Sequence, residues 1–505
     1  MTRRVPLLIA SCPGRTVASV RAEVVQAAEA GADAAEVRVD RIPEAMWPQL
    51  PDLFPSAVPL LATLRSRSEG GEGPDTAADR APVLESVARL PFRFLDLERG
   101  RDNEWIESPP AGTGTAVTLI VSSHLKESTA TSEIRRLLEL ARPPGAVAKV
   151  VLPCSFARLW TDVLPALSPF ETYSPFVLHT TGPTGPLLRA WGARLGMYAV
   201  FGALPAKPAS AEPETVEPSQ IPVDRLRSFQ AGNSEAPLFA VVGHPVDHSR
   251  SPALHSLWMR HEKRNGLYLA LDIASGQELA DSVGPLVSGG FRGLNVTHPW
   301  KQVALGLASR TGPAAESAAC ANTLTFERDT VSAENTDVAA VRRRLDELRK
   351  SGVWNGSHVT VLGGGGAARS ALAALASMGA SGIVVTRHRD AAESIAREYG
   401  AAVGRDGSLE PTQLVIHATP AGREGVPRLE LPWADVIGPA THVLDFVYAP
   451  AHPFLRVGAE RRGATYEDGS RLLVYQAAES YAIWWGVLPS DALQAVALRE
   501  VMCAA

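Results

Sequence analysis

The chain has 505 residues, 45% hydrophobic and 20% charged, with 49 Lys+Arg against 54 Asp+Glu and a formal net charge of −5. That length supports two or three domains with sizeable cores. The charge balance excludes a basic nucleic-acid footprint, and no apolar run is long enough to span a bilayer. The four cysteines, Cys12, Cys154, Cys320 and Cys503, form no paired motif, and the first residues run into an apolar strand without a signal-peptide core. A reduced, cytoplasmic protein is expected, with small-molecule substrates rather than nucleic acid or membrane as partners.

Short apolar runs predict strands at residues 6–12, 34–40, 59–65, 92–98, 116–124, 146–153, 175–181 and 198–204. Amphipathic stretches such as 17–30 and 132–140 predict helices between them. Eight strands at helical spacing point to an N-terminal (β/α)8 barrel, with an open doubly wound sheet as the competitor. Titratable residues gather on these strands or at their C-terminal ends: Glu36, Arg38 and Asp40, then Arg65, Asp96, Glu98, His124 and Lys149. Active sites of such barrels sit at that end.

Lys149 interrupts the apolar run Ala146–Pro153. Burial disfavours an ammonium and makes a nucleophilic amine accessible, which is what imine formation with a ketone requires. On the run alone, a lysine snorkelling from an edge strand fits as well. Its neighbours favour chemistry. His124, one strand earlier, suits proton transfer beside an imine. Glu36, Arg38 and Asp40 alternate onto one face and must either pair as a structural layer or bind substrate. Arg65 ends a strand, Glu69 sits in a glycine-bounded loop, and either a surface or a ligand role fits Arg65.

Over roughly residues 5–222 these motifs resemble type I 3-dehydroquinate dehydratase. The resemblance implies that Lys149 forms the imine and His124 is the general acid/base, supported by Glu69. Glu36, Arg65 and Arg189 would hold hydroxyls and carboxylate, with Arg38 a further binding candidate and Gln220 on a lid. Leu188, Leu125, Val216 and Ser219 stand where the family usually has serine, aspartate, serine and glycine.

Residues 207–235, rich in Pro, Ala, Ser and Glu, read as an interdomain linker or partly a lid. A second unit begins at 237. The strand 359–362 leads into Gly363, Gly364, Gly365, Gly366 and Ala367 and then an Ala/Leu-rich helix, a dinucleotide-binding turn in its expected context. After the next strand come Thr386, Arg387 and Arg389 and no acidic residue. Two arginines suit a 2′-phosphate, so NADP(H) is expected over NAD unless they are merely solvated loop charges. Upstream, Ser249 and Ser251 suit a small polyol acid, and Lys301 with Asp337 suits proton transfer coupled to hydride transfer, a structural ion pair being the alternative. His244, His248 and His255 complete no ligand pattern, and no metal is expected.

Over roughly residues 237–490 this set resembles shikimate dehydrogenase. The resemblance implies that Ser249, Ser251, Asn295, Thr297, Asn322, Asp337 and Gln476 bind substrate and that Lys301 and Asp337 are the catalytic pair. His417, Thr419, Asp445, Val447, Tyr448 and Gly469 would line the cofactor cleft.

The expected fold is thus α/β: a barrel over 1–222, a linker over 223–236, and a two-subdomain dehydrogenase-like unit. Within it, a substrate subdomain spans 237–340, completed by 475–505, and a Rossmann subdomain spans 341–474. The expected function is a bifunctional shikimate-pathway enzyme, with a catabolic quinate/shikimate dehydrogenase fusion and a non-catalytic metabolite sensor as rivals. Oligomeric state is not legible.

Overall fold

The computed structural model describes all residues except 1–4, 109–116, 140–142, 144, 168–174, 206–216, 232–235, 329, 388, 405–408, 428–431, 449–451 and 503–505. By contact density the chain divides into two units. One comprises Met1–Pro237, Asn265–Leu271 and Asp281–Gly290; the other comprises Leu238–Arg264, Asp272–Ala280 and Phe291–Ala505.

The first unit holds eight strands: β1 (Leu7–Cys12), β2 (Ala34–Arg38), β3 (Leu60–Thr63), β4 (Phe94–Glu98), β5 (Thr118–His124), β6 (Val147–Pro153), β7 (Phe176–Thr181) and β8 (Ala199–Ala203). They form one sheet in the order β7-β6-β5-β4-β3-β2-β1-β8, with parallel pairing between neighbours. The chain returns to close it where the Tyr198 N–H donates to the Phe176 carbonyl at 2.8 Å. This is the expected barrel and not an open sheet. The first connecting helix, Val17–Glu29, starts at a Thr16–Ser19 capping box, which satisfies two end N–H groups reciprocally.

Period-two alternation builds the barrel interior. Ile9, Ala34, Leu61, Phe94, Ile120, Val147, Val177 and Ala199 form an apolar layer. Burying each large aliphatic side chain there contributes about 1.5–3 kcal/mol. Two residues further along each strand, the same face presents Ser11, Glu36, Thr63, Asp96, Ser122, Lys149, His179 and Phe201, all buried. The apolar layer anchors the fold, and the polar layer above it carries the chemistry.

Two expectations differ locally. The second strand ends at Arg38, and Val39–Arg41 forms a 3-10 turn that carries Asp40 back onto the Arg38 guanidinium. Within the expected linker, Val223–Ala231 is a helix. Val223, Leu226 and Phe229 are buried at helical spacing, and Arg227 pairs with Asp33 at 2.6 Å. That apolar spacing makes the stretch part of the first unit. Residues 232–235, and the lid position Val216, lie outside the described residues.

The remaining strands form two six-stranded sheets. The mixed sheet contains β9 (Leu238–Gly243), β10 (Leu267–Asp272), β11 (Phe291–Val296), β12 (Arg310–Thr311), β13 (Thr323–Glu327) and β14 (Thr330–Glu334), in the order β10-β9-β11-β13-β14-β12. The other contains β15 (Val359–Leu362), β16 (Gly382–Val385), β17 (Ala402–Val403), β18 (Leu414–His417), β19 (His442–Asp445) and β20 (Thr465–Glu467). It is parallel throughout in the order β17-β16-β15-β18-β19-β20, which is the 3-2-1-4-5-6 pattern of dinucleotide-binding sheets. No helix among the described residues is long and apolar enough to cross a membrane.

Candidate active sites

In the barrel, Lys149 Nζ donates to Asp96 Oδ2 at 2.9 Å and lies 4.1 Å from the centroid of the Phe201 ring. Asp96 also accepts from Ser122 Oγ at 2.6 Å and from Arg65 Nη2 at 3.1 Å. Burial opposes ionisation of Asp96, but the Arg65 and Lys149 charges and the Ser122 bond outweigh it and hold the carboxyl well below the usual range. Sequence reasoning put Asp96 at a strand end without a role; the alternation Phe94, Asp96, Glu98 was the available signal.

Arg65 is the hub of the site. It also reaches Glu69 and Glu98 at 3.0 Å and Ser122 at 3.1 Å, so a guanidinium 5% exposed is neutralised from several sides. His124 Nδ1 lies 2.7 Å from Glu69 Oε2 and 3.1 Å from Arg65 Nη1. A guanidinium only donates and a carboxylate only accepts, so the shorter contact assigns the hydrogen to Nδ1 and leaves Nε2 with a lone pair. Burial, then the Arg65 and Lys149 cations, push the His124 pKa well below its usual value. Burial raises that of Glu69, partly offset by Arg65 and Arg101. The neutral imidazole is therefore a base, oriented by Glu69, two strand positions from the amine.

The other expected residues gather here too, in varying states. Glu36 accepts from Ser11 Oγ at 2.7 Å and Thr63 Oγ1 at 2.9 Å. Arg38 is held bidentately by Asp40, so its fork is occupied. Gln220 donates to Ser11 Oγ at 3.0 Å, while its Oε1 is buried without a partner. Arg189 is buried and bonded to Glu217.

In the second unit, a cleft open to solvent is lined by Ser249, Ser251, Asn295, Thr297, Asn322, Lys301, Asp337 and Gln476, so the expected substrate residues converge. Lys301 Nζ ion-pairs with Asp337 Oδ2. Local structure places both groups. Lys301 opens the helix Lys301–Gly306, and Asp337 lies in the first turn of Thr336–Lys350, where the Asn335 side chain accepts from the Asp337 and Val338 N–H groups. A carboxylate in a first turn is favoured by the helix dipole. Asn322 donates to Thr336 Oγ1 at 3.0 Å and Asn295 to Thr323 Oγ1 at 3.1 Å, a buried amide lattice that fixes the cleft floor.

Tyr448 and Gly469 line the same cleft. A Cβ on Gly469 would meet the Phe446 carbonyl at 2.3 Å, so only glycine fits. Around the dinucleotide turn, Gly363 takes φ +129°, and a Cβ there would meet the Ala418 carbonyl at 2.8 Å. That contact lies where the strand order reverses, between β15 and β18, the usual crevice for such ligands. Gly365, N-cap of the helix Gly366–Ser377, has open space where a Cβ would lie, so the helix N-terminus is accessible to a phosphate. At the end of β16, Arg387 is exposed and Arg389 pairs with Glu393 at 2.8 Å. These features fit NADP(H). His417, expected in the cofactor cleft, is instead fully buried: Nδ1 lies 2.7 Å from Asp445 and Nε2 2.5 Å from Thr419 Oγ1. It braces the loops bearing Thr419 and Val447, whose N–H also bonds Asp445. Arg423, which the sequence reading left out, also lines the cleft.

The type I 3-dehydroquinase family model matches residues 8–231, and the shikimate dehydrogenase substrate-binding domain matches 241–324. Shikimate dehydrogenase (NADP(+)) of Dinoroseobacter shibae is 36% identical over 276 residues, 53% of this chain and 99% of that protein. The chain belongs to the shikimate dehydrogenase family. The same-named enzyme of Acidiphilium cryptum is 35% identical over 277 residues, 54% of this chain and 99% of its own length. That of Paracoccus denitrificans is 36% identical over 263 residues, 50% of this chain and 92% of its own. These shikimate dehydrogenases account for about half of the chain, and the type I 3-dehydroquinase domain accounts for the barrel.

Proposed function

We propose that the chain is a bifunctional enzyme that dehydrates 3-dehydroquinate in the barrel and reduces the resulting 3-dehydroshikimate to shikimate in the second unit. The observation that carries the reading is the hydrogen-bonded constellation Lys149–Asp96 and His124–Glu69 in a type I 3-dehydroquinase domain, joined in one chain to a shikimate dehydrogenase. The product of the first reaction is the ketone the second consumes.

In the barrel, the Lys149 amine adds to the substrate ketone and the adduct loses water to give an imine. Asp96 then sits against the cationic nitrogen and stabilises it electrostatically. His124 Nε2 removes the neighbouring C2 proton, and the enamine expels the C1 hydroxyl, which leaves as water with the proton returned by His124. Hydrolysis of the imine restores Lys149. In the second unit, Ser249, Ser251, Asn295, Thr297, Asn322 and Gln476 orient the ring. Lys301, held by Asp337, delivers a proton to the carbonyl oxygen. NADPH, when bound through the Gly363–Gly366 turn and Arg387, supplies the hydride.

The test is a coupled assay: NADPH absorbance is followed with 3-dehydroquinate, and in parallel with 3-dehydroshikimate. Loss of absorbance in both supports the reading. Loss with 3-dehydroshikimate alone removes the dehydratase assignment, and silence in both removes the whole.

A further inference from the structure

Arg189 is held from two sides of different kind. Nε donates to the Phe201 carbonyl at 3.2 Å, and Nη1 to the carbonyls of Thr180 at 3.1 Å and Gly185 at 3.0 Å. Main chain of the barrel thus fixes the guanidinium wherever the rest of its surroundings go. Nη1 also reaches Ser219 Oγ at 3.0 Å, and Nη2 donates to Glu217 Oε2 at 2.9 Å. Glu217 and Ser219 belong to a turn segment, 217–220, outside any helix or strand. Ser219 Oγ is itself bonded to the Glu217 carboxylate, so the two move together. The Glu217 side chain is 22% exposed, against 3% for Arg189.

We propose that Glu217 is a built-in competitor for the carboxylate of the barrel's substrate, occupying the Arg189 guanidinium until substrate displaces it. This rests on the dehydratase reading of the barrel.

A buried cation is stabilised by a carboxylate partner, because losing one leaves an uncompensated charge at a cost in stability. Among the described residues Glu217 is the only carboxylate on Arg189. Burial lowers the Arg189 pKa and Glu217 opposes that fall, which is the task a substrate carboxylate would take over. The same segment is latched at a second point: Gln220 donates to Ser11 Oγ, which donates to the substrate-side Glu36. Displacing the segment therefore frees Arg189 and Gln220 together. The held state reduces the binding-competent fraction, and the apparent affinity falls in proportion. Glu217 thus sets the substrate concentration at which the barrel works, and it favours ligands whose own carboxylate can replace it.

The test compares the full chain with Glu217→Gln, Glu217→Ala and Glu217→Asp in steady-state dehydration of 3-dehydroquinate and of its uncharged methyl ester. For the acid, KM should fall about fivefold or more in the Gln and Ala variants with kcat within about twofold, and stay near wild type in the Asp variant. The ester, which cannot pair with Arg189, should gain nothing. An unchanged or raised KM for the acid, or an equal gain for the ester, overturns the proposal. If the wild type turns over 3-dehydroquinate and KM does not move, Glu217 alone was misassigned. If wild type and variants are all inert and borohydride traps no adduct on Lys149, the dehydratase reading fails and takes the proposal with it.

Discussion

His124 is the residue on which the barrel chemistry turns, because burial and the Arg65 and Lys149 cations keep its imidazole neutral and able to take a proton. Replacing it with alanine should lower kcat for dehydration by about 10²–10⁴-fold. Borohydride should still trap the substrate on Lys149, since the amine and Asp96 remain. Mass spectrometry of the trapped chain separates the two roles. The pH dependence follows from the same surroundings. A base whose pKa lies well below 6.5 stays unprotonated through neutrality and fails only as pH falls through that depressed value. The acid limb of kcat/KM for dehydration should therefore lie below pH 6.5. A limb at or above that value would show that the imidazole is not held neutral by burial, Arg65 and Lys149.

At the scale of elements, two connections position these groups. The helix Ala77–Ala88 contributes Arg80, fully buried, which holds Asp102 through paired bonds of 2.8 Å. Asp102 in turn accepts from the Glu98 N–H at 2.8 Å, and Glu98 binds Arg65 and the Ser66 N–H. One buried ion pair thus sets the end of β4 against the loop that bears Arg65. Asp102→Ala removes both charge-assisted bonds and leaves Arg80 only the Glu98 carboxylate at 3.6 Å, so it should destabilise the barrel by about 1.5–3 kcal/mol, read as a lower urea midpoint. The second connection is the end of β16. There Arg387 is exposed, whereas Arg389 is engaged by Glu393. Losing one charge-assisted contact to a 2′-phosphate costs about 1.5–3 kcal/mol. Arg387→Ala should therefore raise KM for NADPH about tenfold or more and leave that for NADH unchanged. Equal effects on both coenzymes would remove Arg387 from the phosphate site.

At the scale of the molecule, stability should depend on pH through a buried group that takes no part in either reaction. His255 lies in the helix Ser251–His261, its ring 5.6–6.0 Å from those of Trp258, Tyr481 and Trp484. Burial pushes its pKa down to about 3. As pH falls below about 6.5 the unfolded imidazole takes up a proton that the folded one refuses, so stability is lost progressively until the folded group protonates too. Between pH 7 and pH 5 this site alone should remove about 2 kcal/mol. Urea unfolding of the second unit at the two pH values, compared with His255→Phe, isolates the term: the variant should lose less on acidification.

The strands of the barrel, the dinucleotide turn and the positions of Lys149, His124, Lys301 and Asp337 were legible in the chain itself. Strand alternation, glycine spacing and one charge in an apolar run are local signals, and local sterics and burial write them into consecutive residues. Who neutralises whom was not legible. Asp96 faces Lys149 across 53 positions and Glu69 faces His124 across 55. Such pairs exist only once the strands β3 to β6 assemble side by side. Composition made 223–231 a linker, although its helical apolar spacing buries Val223, Leu226 and Phe229. The resemblance put His417 in the cofactor cleft, and the fold turned it inward onto Asp445 and Thr419. The sequence by itself determined which groups can do chemistry and on which face they stand. Only the tertiary structure decided their partners, protonation and access, because those depend on charges and desolvation brought together from distant parts of the chain.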